Sequence, residues 1–92
     1  MSKTRAEIIV QGRVQGVFFR QSTVEMARAI GLTGLVRNCP DGTVAVIFEG
    51  EVDKVKQAVE WCHHGPPAAR VSNLEVDWQD YRSDFENFKI GY

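Results

Sequence analysis

Residues 5–30 read RAEIIVQGRVQGVFFRQSTVEMARAI, and the spacing of the apolar side chains changes within this stretch. Up to Val14, apolar and polar residues alternate, which is typical of a half-buried β-strand. From Arg20 onward, apolar residues recur at every third position, which indicates a helix. Gly31 follows at the position where a left-handed C-cap residue is favoured. The stretch therefore predicts a strand, a glycine-containing turn and a helix.

The same alternation assigns the two faces of the first strand. Ala6, Ile8 and Val10 share one side, whereas Arg5 and Glu7 belong to the other. Since alternate side chains of a strand point to opposite faces, the apolar set is expected in the core. The two charged residues are expected on the polar face of the strand.

A β-hairpin is predicted directly after this helix. Residues 32–38 and 43–49 read as strands, and the four residues between them are CPDG. Pro40 presets the backbone φ angle for a turn, and Gly42 accepts a positive φ. The two strands should therefore pair in an antiparallel way.

The rest of the chain repeats the helix and strand signals. Apolar residues at helical spacing predict an amphipathic helix over Val52–Cys62, which the Gly-Pro-Pro at residues 65–67 brings to an end. Residues 74–79 alternate again and predict a strand with one wet face. Phe88, Ile90 and Tyr92 suggest a short final strand.

The order of these elements is β-α-β-β-α-β with a short C-terminal fifth strand. This order is that of the ferredoxin-like α+β sandwich, in which an antiparallel sheet carries both helices on one face. The length of 92 residues fits a single domain over residues 1–92. With 43% hydrophobic and 25% charged residues, the composition is that of an ordinary globular protein.

Charge and apolar content limit the possible partners. Eleven basic and twelve acidic residues give a net charge of −1, which argues against a broad nucleic-acid-binding surface. The apolar stretches are strand-sized, and the N-terminus lacks the apolar block of a secretion signal, so no membrane association is expected. Cys39 and Cys62 form no CxxC pair and are expected to be free thiols. We therefore expect a cytoplasmic monomer.

The turn between the first strand and the first helix is a candidate anion site. Loop amides and first-turn helix amides can converge on one point there, and Gly16 permits close backbone approach. The guanidinium of Arg20 matches two phosphate oxygens at once. The candidate donors are the backbone amides of Gln15, Gly16, Val17, Phe18, Phe19 and Arg20. A strained connection beside a surface arginine would give the same pattern.

Five segments together resemble one known family. GRVQGVFFR at residues 12–20 is followed by GLTGLVRN at 31–38 and DGTV at 41–44. GPPAA at 65–69 and FKIGY at 88–92 complete the set. Over the whole chain this pattern closely resembles the acylphosphatase family. The first motif is the specific one, because the glycines alone would not identify a family.

The resemblance implies hydrolysis of small acyl phosphates, with release of inorganic phosphate and without a metal or cofactor. Arg20 would bind the phosphate, and Asn38 would position the attacking water, while the amides from Gln15 to Arg20 would form the cradle. Read from the sequence alone, Asn38 also suits a residue that opens the turn before Pro40. The chain departs from the family at Leu35, where an aromatic residue is common, and at Phe18, where a small residue is common.

The residue chemistry agrees with a site that works by positioning and electrostatics. Val14 occupies the position six residues before Arg20, where a cysteine phosphatase carries its nucleophile, so no phosphocysteine can form. His63 and His64 are neighbours on a helix and point about 100° apart, which argues against a metal pair. The alternative is a non-enzymatic small-ligand or RNA-binding module of the same fold, although residues 43–49 offer only Phe48 for stacking on bases.

Overall fold

The computed structural model describes residues 2–91, so Tyr92 of the predicted final strand lies outside the described residues. The elements confirm the predicted order, with β4 starting four residues before the predicted strand and both helices 11 residues long. No helix among the described residues is long and apolar enough to span a membrane. In chain order the elements are β1 (Lys3–Arg13), α1 (Phe19–Ala29), β2 (Thr33–Asn38), β3 (Val44–Glu51), α2 (Val52–Cys62), β4 (Arg70–Asp80) and β5 (Phe88–Ile90).

The five strands form one sheet in the order β4-β1-β3-β2-β5. The four longer strands are antiparallel, as predicted, but β5 pairs in parallel with β2, so the sheet is mixed. The direction of β5 follows from the path of the chain. β4 lies at one edge, and residues 81–87 lead to the opposite edge, where β5 runs back against the direction of β4. β2 already runs in that same direction.

The strand directions bring two distant parts of the chain to one end of the sheet. β1 and β2 lie on either side of β3 and are both antiparallel to it, so they point the same way. Val10 of β1 and Asn38 of β2 both pair with Val44 of β3, so they lie at the same end, roughly 10 Å apart for two strand spacings, and β1 continues beyond them to Arg13. We call this the loop end of the sheet, because residues 14–18 leave from it.

One face of the sheet carries both helices and the core. α1 packs against β2 and β5, and α2 packs against β1, β3 and β4. The predicted apolar side of β1 is confirmed, because its three residues are at most 1% exposed. The sheet contributes to this core Ala6, Ile8, Val10, Val36, Val44, Val46, Phe48 and Phe88.

Arg5 lies on the face of β1 that was predicted to be polar, but its side chain is buried there, on the helix-free face of the sheet. Arg5 is 5% exposed and Glu49, its register partner on β3, is 0% exposed. Nη1 of Arg5 donates to Glu49 at 3.1 Å and to Asp84 at 3.2 Å, and Nη2 donates to Glu7 at 3.1 Å. The backbone N–H groups of Arg82 and Asp84 each donate to Glu49 at 3.0 Å.

These bonds tie residues 81–87, which we call the crossing segment, to the sheet at the end opposite the loop end. A buried charge is tolerated only when it is paired and hydrogen-bonded, and Glu49 accepts three such bonds. Burial by itself raises the pKa of Glu49, but the backbone N–H groups and the Arg5 guanidinium outweigh it. The pKa of Glu49 therefore lies below its usual value.

Replacement of the buried carboxylate should destabilise the fold and change its response to acid. Because the folded-state pKa of Glu49 is depressed, its contribution is complete above about pH 4.3, the usual glutamate value, and is lost as the pH falls through the folded-state pKa. We expect Glu49→Gln to lower the free energy of unfolding at pH 7 by roughly 3 kcal/mol or more. Urea unfolding at pH 7 and at pH 3 measures both effects.

Glu7→Gln is the matched control, because Glu7 bonds the same guanidinium but its side chain is 38% exposed. We expect it to cost about 1 kcal/mol or less. Equal losses in the two variants would contradict the assigned role of Glu49. So would a Glu49→Gln variant that loses as much stability between pH 7 and pH 3 as the natural chain.

Candidate active site

A cavity of about 310 Å³ opens at the loop end of the sheet. The residues that line it come from the 14–18 loop, the start of α1, the end of β2 and β5. They are Val14, Gly16, Phe18, Phe19, Arg20, Gln21, Asn38 and Ile90. Arg20 and Asn38, the two side chains predicted to act on the substrate, thus line the same cavity. Of the predicted cradle residues, Gln15 and Val17 are absent from this lining.

The loop backbone has the conformation that anion-binding turns use. Gly16 has a φ of 74°, and Phe18, the N-cap residue of α1, has φ 65° and ψ 21°. Left-handed residues in such a turn direct successive N–H groups toward one side, which forms a nest for an anion. A Cβ atom at Gly16 would meet no other atom within 4 Å. Glycine is therefore favoured there by the backbone angle and not by lack of space.

The N–H groups of this loop have no partners in the described part of the chain. The first N–H groups of any helix lack an intrahelical acceptor. In α1 no side-chain cap supplies one, and the first turn contains no acidic residue. Within residues 2–91, no acceptor takes a hydrogen bond from the backbone N–H groups of residues 15–20. Within the described residues these six N–H groups are unpaired, and those of Gly16, Phe18, Phe19 and Arg20 belong to residues that line the cavity.

Phe19 holds the loop against the core. It is 1% exposed, and its ring centroid lies 5.6 Å from that of Trp61 on α2. A Cβ atom at Gly65 would come within 2.5 Å of the Phe19 ring, so glycine at this position lets the ring pack against the backbone. Val17 is 7% exposed. The two buried side chains fix the loop from below and leave Phe18 outside.

Arg20 projects its charge without an internal counterion. It is half-buried in the first turn of α1. No carboxylate of the described residues lies within 4 Å of its guanidinium, in contrast to Arg5 with its three acidic partners. The paired donors of Arg20 are therefore available to a planar or tetrahedral oxyanion.

Asn38 lies on the same side of the sheet as Arg20 and does not cap the hairpin turn. Its register partner is the core residue Val44, which places the half-buried Asn38 on the helix-covered face. The turn is closed instead by Asp41, whose Oδ1 accepts bonds from the Thr43 hydroxyl at 2.7 Å and the Thr43 N–H at 3.0 Å. The bond from the hydroxyl, with that from the N–H, lowers the pKa of Asp41. The Asn38 amide makes no side-chain hydrogen bond within the described chain.

The Gln15 side chain joins the loop to the hairpin turn. Its Nε2 donates to the backbone oxygens of Cys39 at 2.8 Å and of Thr43 at 2.9 Å. The sequence reasoning assigned Gln15 only a backbone amide and missed this role. The available signal was a long polar side chain that directly follows Val14, a residue of the apolar pattern, at the start of the loop. The bond to Cys39 fixes the residue directly after Asn38.

The remaining candidates lie elsewhere. Neither His63 nor His64 lines the cavity, and His64 faces Glu60 at 3.8 Å. Cys62 is buried in the core, which raises the pKa of its thiol, in agreement with a packing role. Phe48 is 0% exposed and stacks on Phe88 at 5.5 Å between ring centroids, so it offers no surface for a base. The cavity on the helix-free face has no aromatic lining residue.

Comparison with known proteins gives one consistent result. The family model described as acylphosphatase matches residues 6–90. An acylphosphatase of Pelotomaculum thermopropionicum is 52% identical over 92 residues, which is all of both chains. An acylphosphatase of Anaeromyxobacter dehalogenans is 51% identical over 90 residues, 98% of this chain and 97% of the relative.

Solved structures agree with this similarity. An acylphosphatase from Coxiella burnetii superposes with a TM-score of 0.92 at 37% identity, over 98% of this chain and 94% of that one. The acylphosphatase from Bacillus subtilis gives a TM-score of 0.92 at 34% identity, over 97% and 99% of the two chains. The match extends over the strand–loop–helix segment and the hairpin that together line the cavity. The chain belongs to the acylphosphatase family.

Proposed function

We propose that this acylphosphatase hydrolyses the carboxyl–phosphate bond of small acyl phosphates by direct attack of water, with Arg20 and the loop amides holding the phosphoryl group and Asn38 orienting the water. One observation carries the proposal. Arg20 and Asn38, 18 positions apart in the sequence, line one cavity together with a loop whose N–H groups are unpaired within residues 2–91. The family relationship supports the reaction class.

The leaving group explains why so few residues suffice. Cleavage of an acyl phosphate releases a carboxylate, whose conjugate acid has a pKa of about 4, similar to that of a glutamate side chain. Such a group departs as an anion without a proton donor. The proposed site accordingly contains no general acid, and we propose that neither a metal ion nor a cofactor takes part.

The charge that develops on phosphorus is met by fixed donors. The transition state of phosphoryl transfer is loose and spreads negative charge over the equatorial oxygens. The buried side chains of Phe19 and Val17 anchor the loop that carries the amides before the reaction, and Arg20 follows Phe19 in the first turn of α1. Preorganised donors of this kind stabilise a developing anion without reorganisation during the step.

Asn38 orients the second reactant, the attacking water. Asn38 has a carbonyl oxygen to accept a bond from water and an amide to donate one. Its oxygen is too weakly basic to remove the proton fully before attack. As the bond from the water oxygen to phosphorus forms, the bond from phosphorus to the acyl oxygen breaks and its electron pair leaves with the carboxylate. The proton of the water passes to a phosphate oxygen or to solvent.

We also propose that the protein acts as a cytoplasmic monomer that binds neither nucleic acid nor membranes. One chain supplies a cavity lined by both Arg20 and Asn38, so the proposed chemistry requires no residue from a second copy. The net charge of −1 gives no broad attraction to polyanions. Cys39 and Cys62 are free cysteines in the structure, which suits a reducing compartment.

Hydrolysis of benzoyl phosphate in the presence of EDTA tests the reaction and the anion clamp together. We expect the natural chain to turn over the substrate fully in EDTA. Arg20→Lys should lose activity by on the order of 10²-fold or more, because a point charge does not replace an oriented fork of donors. Rates of phosphate release measure both. Arg37→Lys, on the opposite face of β2, is the control and should keep the natural activity.

Loss of turnover in EDTA would refute the metal-free reaction. Normal turnover by Arg20→Lys would refute the role of its guanidinium.

Removal of the Asn38 amide should separate catalysis from phosphate binding. We expect Asn38→Ala to lower kcat on the order of 10²-fold, as when a positioning group for a reactant is lost. The inhibition constant of inorganic phosphate should change far less, because water is the proposed partner of Asn38. Steady-state kinetics with phosphate as a competitive inhibitor gives both values. Equal losses in kcat and in phosphate affinity would contradict the proposal. Asn73→Ala, on the exposed part of β4, is the control.

Loss of the Gln15 side-chain bonds should act through the position of Asn38. Gln15→Met keeps the length of the side chain but removes both donors, so we expect kcat to fall on the order of 10-fold and stability by about 1–2 kcal/mol. In an Asn38→Ala background the same change should have a much smaller effect on kcat. Additive effects in this double-mutant cycle would argue against a positioning role. Gln11→Met, which loses one exposed bond to Asn73, is the matched control.

A further inference from the structure

Phe18 combines two features that are unfavourable for an isolated protein. Its side chain is 76% exposed, although it is a large apolar group. Its backbone has a φ of 65°, a region that glycine occupies at little cost and that a bulky residue occupies with strain. Glycine or a small polar residue would relieve both at this position. The fold itself gives no reason for a phenylalanine here.

The structure holds this ring at the mouth of the cavity. Phe18 lies between the buried residues Val17 and Phe19, and its carbonyl oxygen accepts a bond from the Ser22 N–H at 3.0 Å. The residue is thus fixed from both sides and by the first turn of α1. The backbone that carries the ring is therefore held beside the cavity, which Phe18 lines.

Phe18 is the most exposed of the apolar side chains that line the cavity. Four apolar side chains line it, but Val14 and Phe19 are each only 1% exposed. Ile90 is half-buried on β5. A ligand group that seeks apolar contact in this cavity therefore meets Phe18 first.

We propose that Phe18 is a specificity-determining residue that favours acyl phosphates with an aromatic acyl group, through contact of its ring with the planar ring of the substrate. This inference rests on the proposed function, in which the phosphoryl end is held by Arg20 and the loop amides. These donors recognise only the phosphate, which every substrate shares. Discrimination must then come from contacts with the acyl group, and aromatic pairs gain from offset or edge-to-face contact.

The test compares the hydrolysis of benzoyl phosphate and acetyl phosphate by variants of Phe18. The replacing residues, like phenylalanine, must adopt the positive φ angle of this position with a bulky side chain. Phe18→Leu keeps an apolar side chain but removes the ring, and Phe18→Tyr keeps the ring. We expect the ratio of kcat/KM for benzoyl phosphate to that for acetyl phosphate to fall about 3- to 10-fold in Phe18→Leu. Phe18→Tyr should retain the ratio of the natural chain. Trp78→Leu, which removes an exposed aromatic residue outside the cavity, should also retain it.

A binding measurement separates this inference from the reaction. Phenacylphosphonate and acetonylphosphonate are analogues of the two substrates in which a methylene group replaces the bridging oxygen, so neither can be hydrolysed. By calorimetry, we expect the preference of the natural chain for phenacylphosphonate to be lost in Phe18→Leu. A chain that shows this loss but hydrolyses neither acyl phosphate would refute the proposed function and leave the role of Phe18 intact.

Three results would overturn the role of Phe18 itself. The first is an unchanged selectivity ratio in Phe18→Leu while the natural chain hydrolyses both substrates. The second is a fall of the ratio in Phe18→Tyr equal to that in Phe18→Leu, since the ring is then irrelevant. The third is an equal fall in Trp78→Leu, which would place the effect outside the cavity.

Discussion

Two hydrogen bonds from one side-chain amide determine the geometry of the site. Nε2 of Gln15 holds the backbone oxygens of Cys39 and Thr43 and so connects the loop that carries the anion donors to the turn that follows Asn38. The sheet brings these segments to the same end but leaves β3 between the strands they extend. The Gln15 side chain spans this gap. Without it, no side-chain hydrogen bond among the described residues would join the loop to the turn that follows Asn38, the residue proposed to position the water.

The sheet separates what stabilises the chain from what acts on the ligand. The buried pair of Arg5 and Glu49, with the N–H groups of the crossing segment, lies at one end of the strands. The loop, the first turn of α1 and Asn38 lie at the other end. At the first end, the charge of Arg5 is paired with that of Glu49. At the loop end, Arg20 has no carboxylate partner among residues 2–91, and the proposed substrate would supply the anion there.

The sequence predicted most of the fold because its signals are local. Period-two alternation and helical spacing identified the elements, and the CPDG turn identified the hairpin. Burial of Arg5 could not be predicted in this way, because its partner Glu49 lies 44 residues away and alternation alone assigns a charged residue to the wet face. The parallel pairing of β5 depends on which edge β4 occupies, which no local pattern records. The side-chain role of Gln15 depends on a contact with Cys39, 24 residues away in another turn, which local spacing does not record.

The uncapped start of α1 has a consequence for the cycle of the enzyme. The helix begins at Phe19 with its first N–H groups unsatisfied by any side chain of the described residues. A phosphoryl group bound there, as proposed, would supply acceptors for these N–H groups, so the substrate would act as a temporary structural component of the protein. Each turnover removes that component when phosphate departs. Ordering of the loop would then be coupled to phosphate binding. Tighter binding of the product would raise the stability of the protein and slow product release.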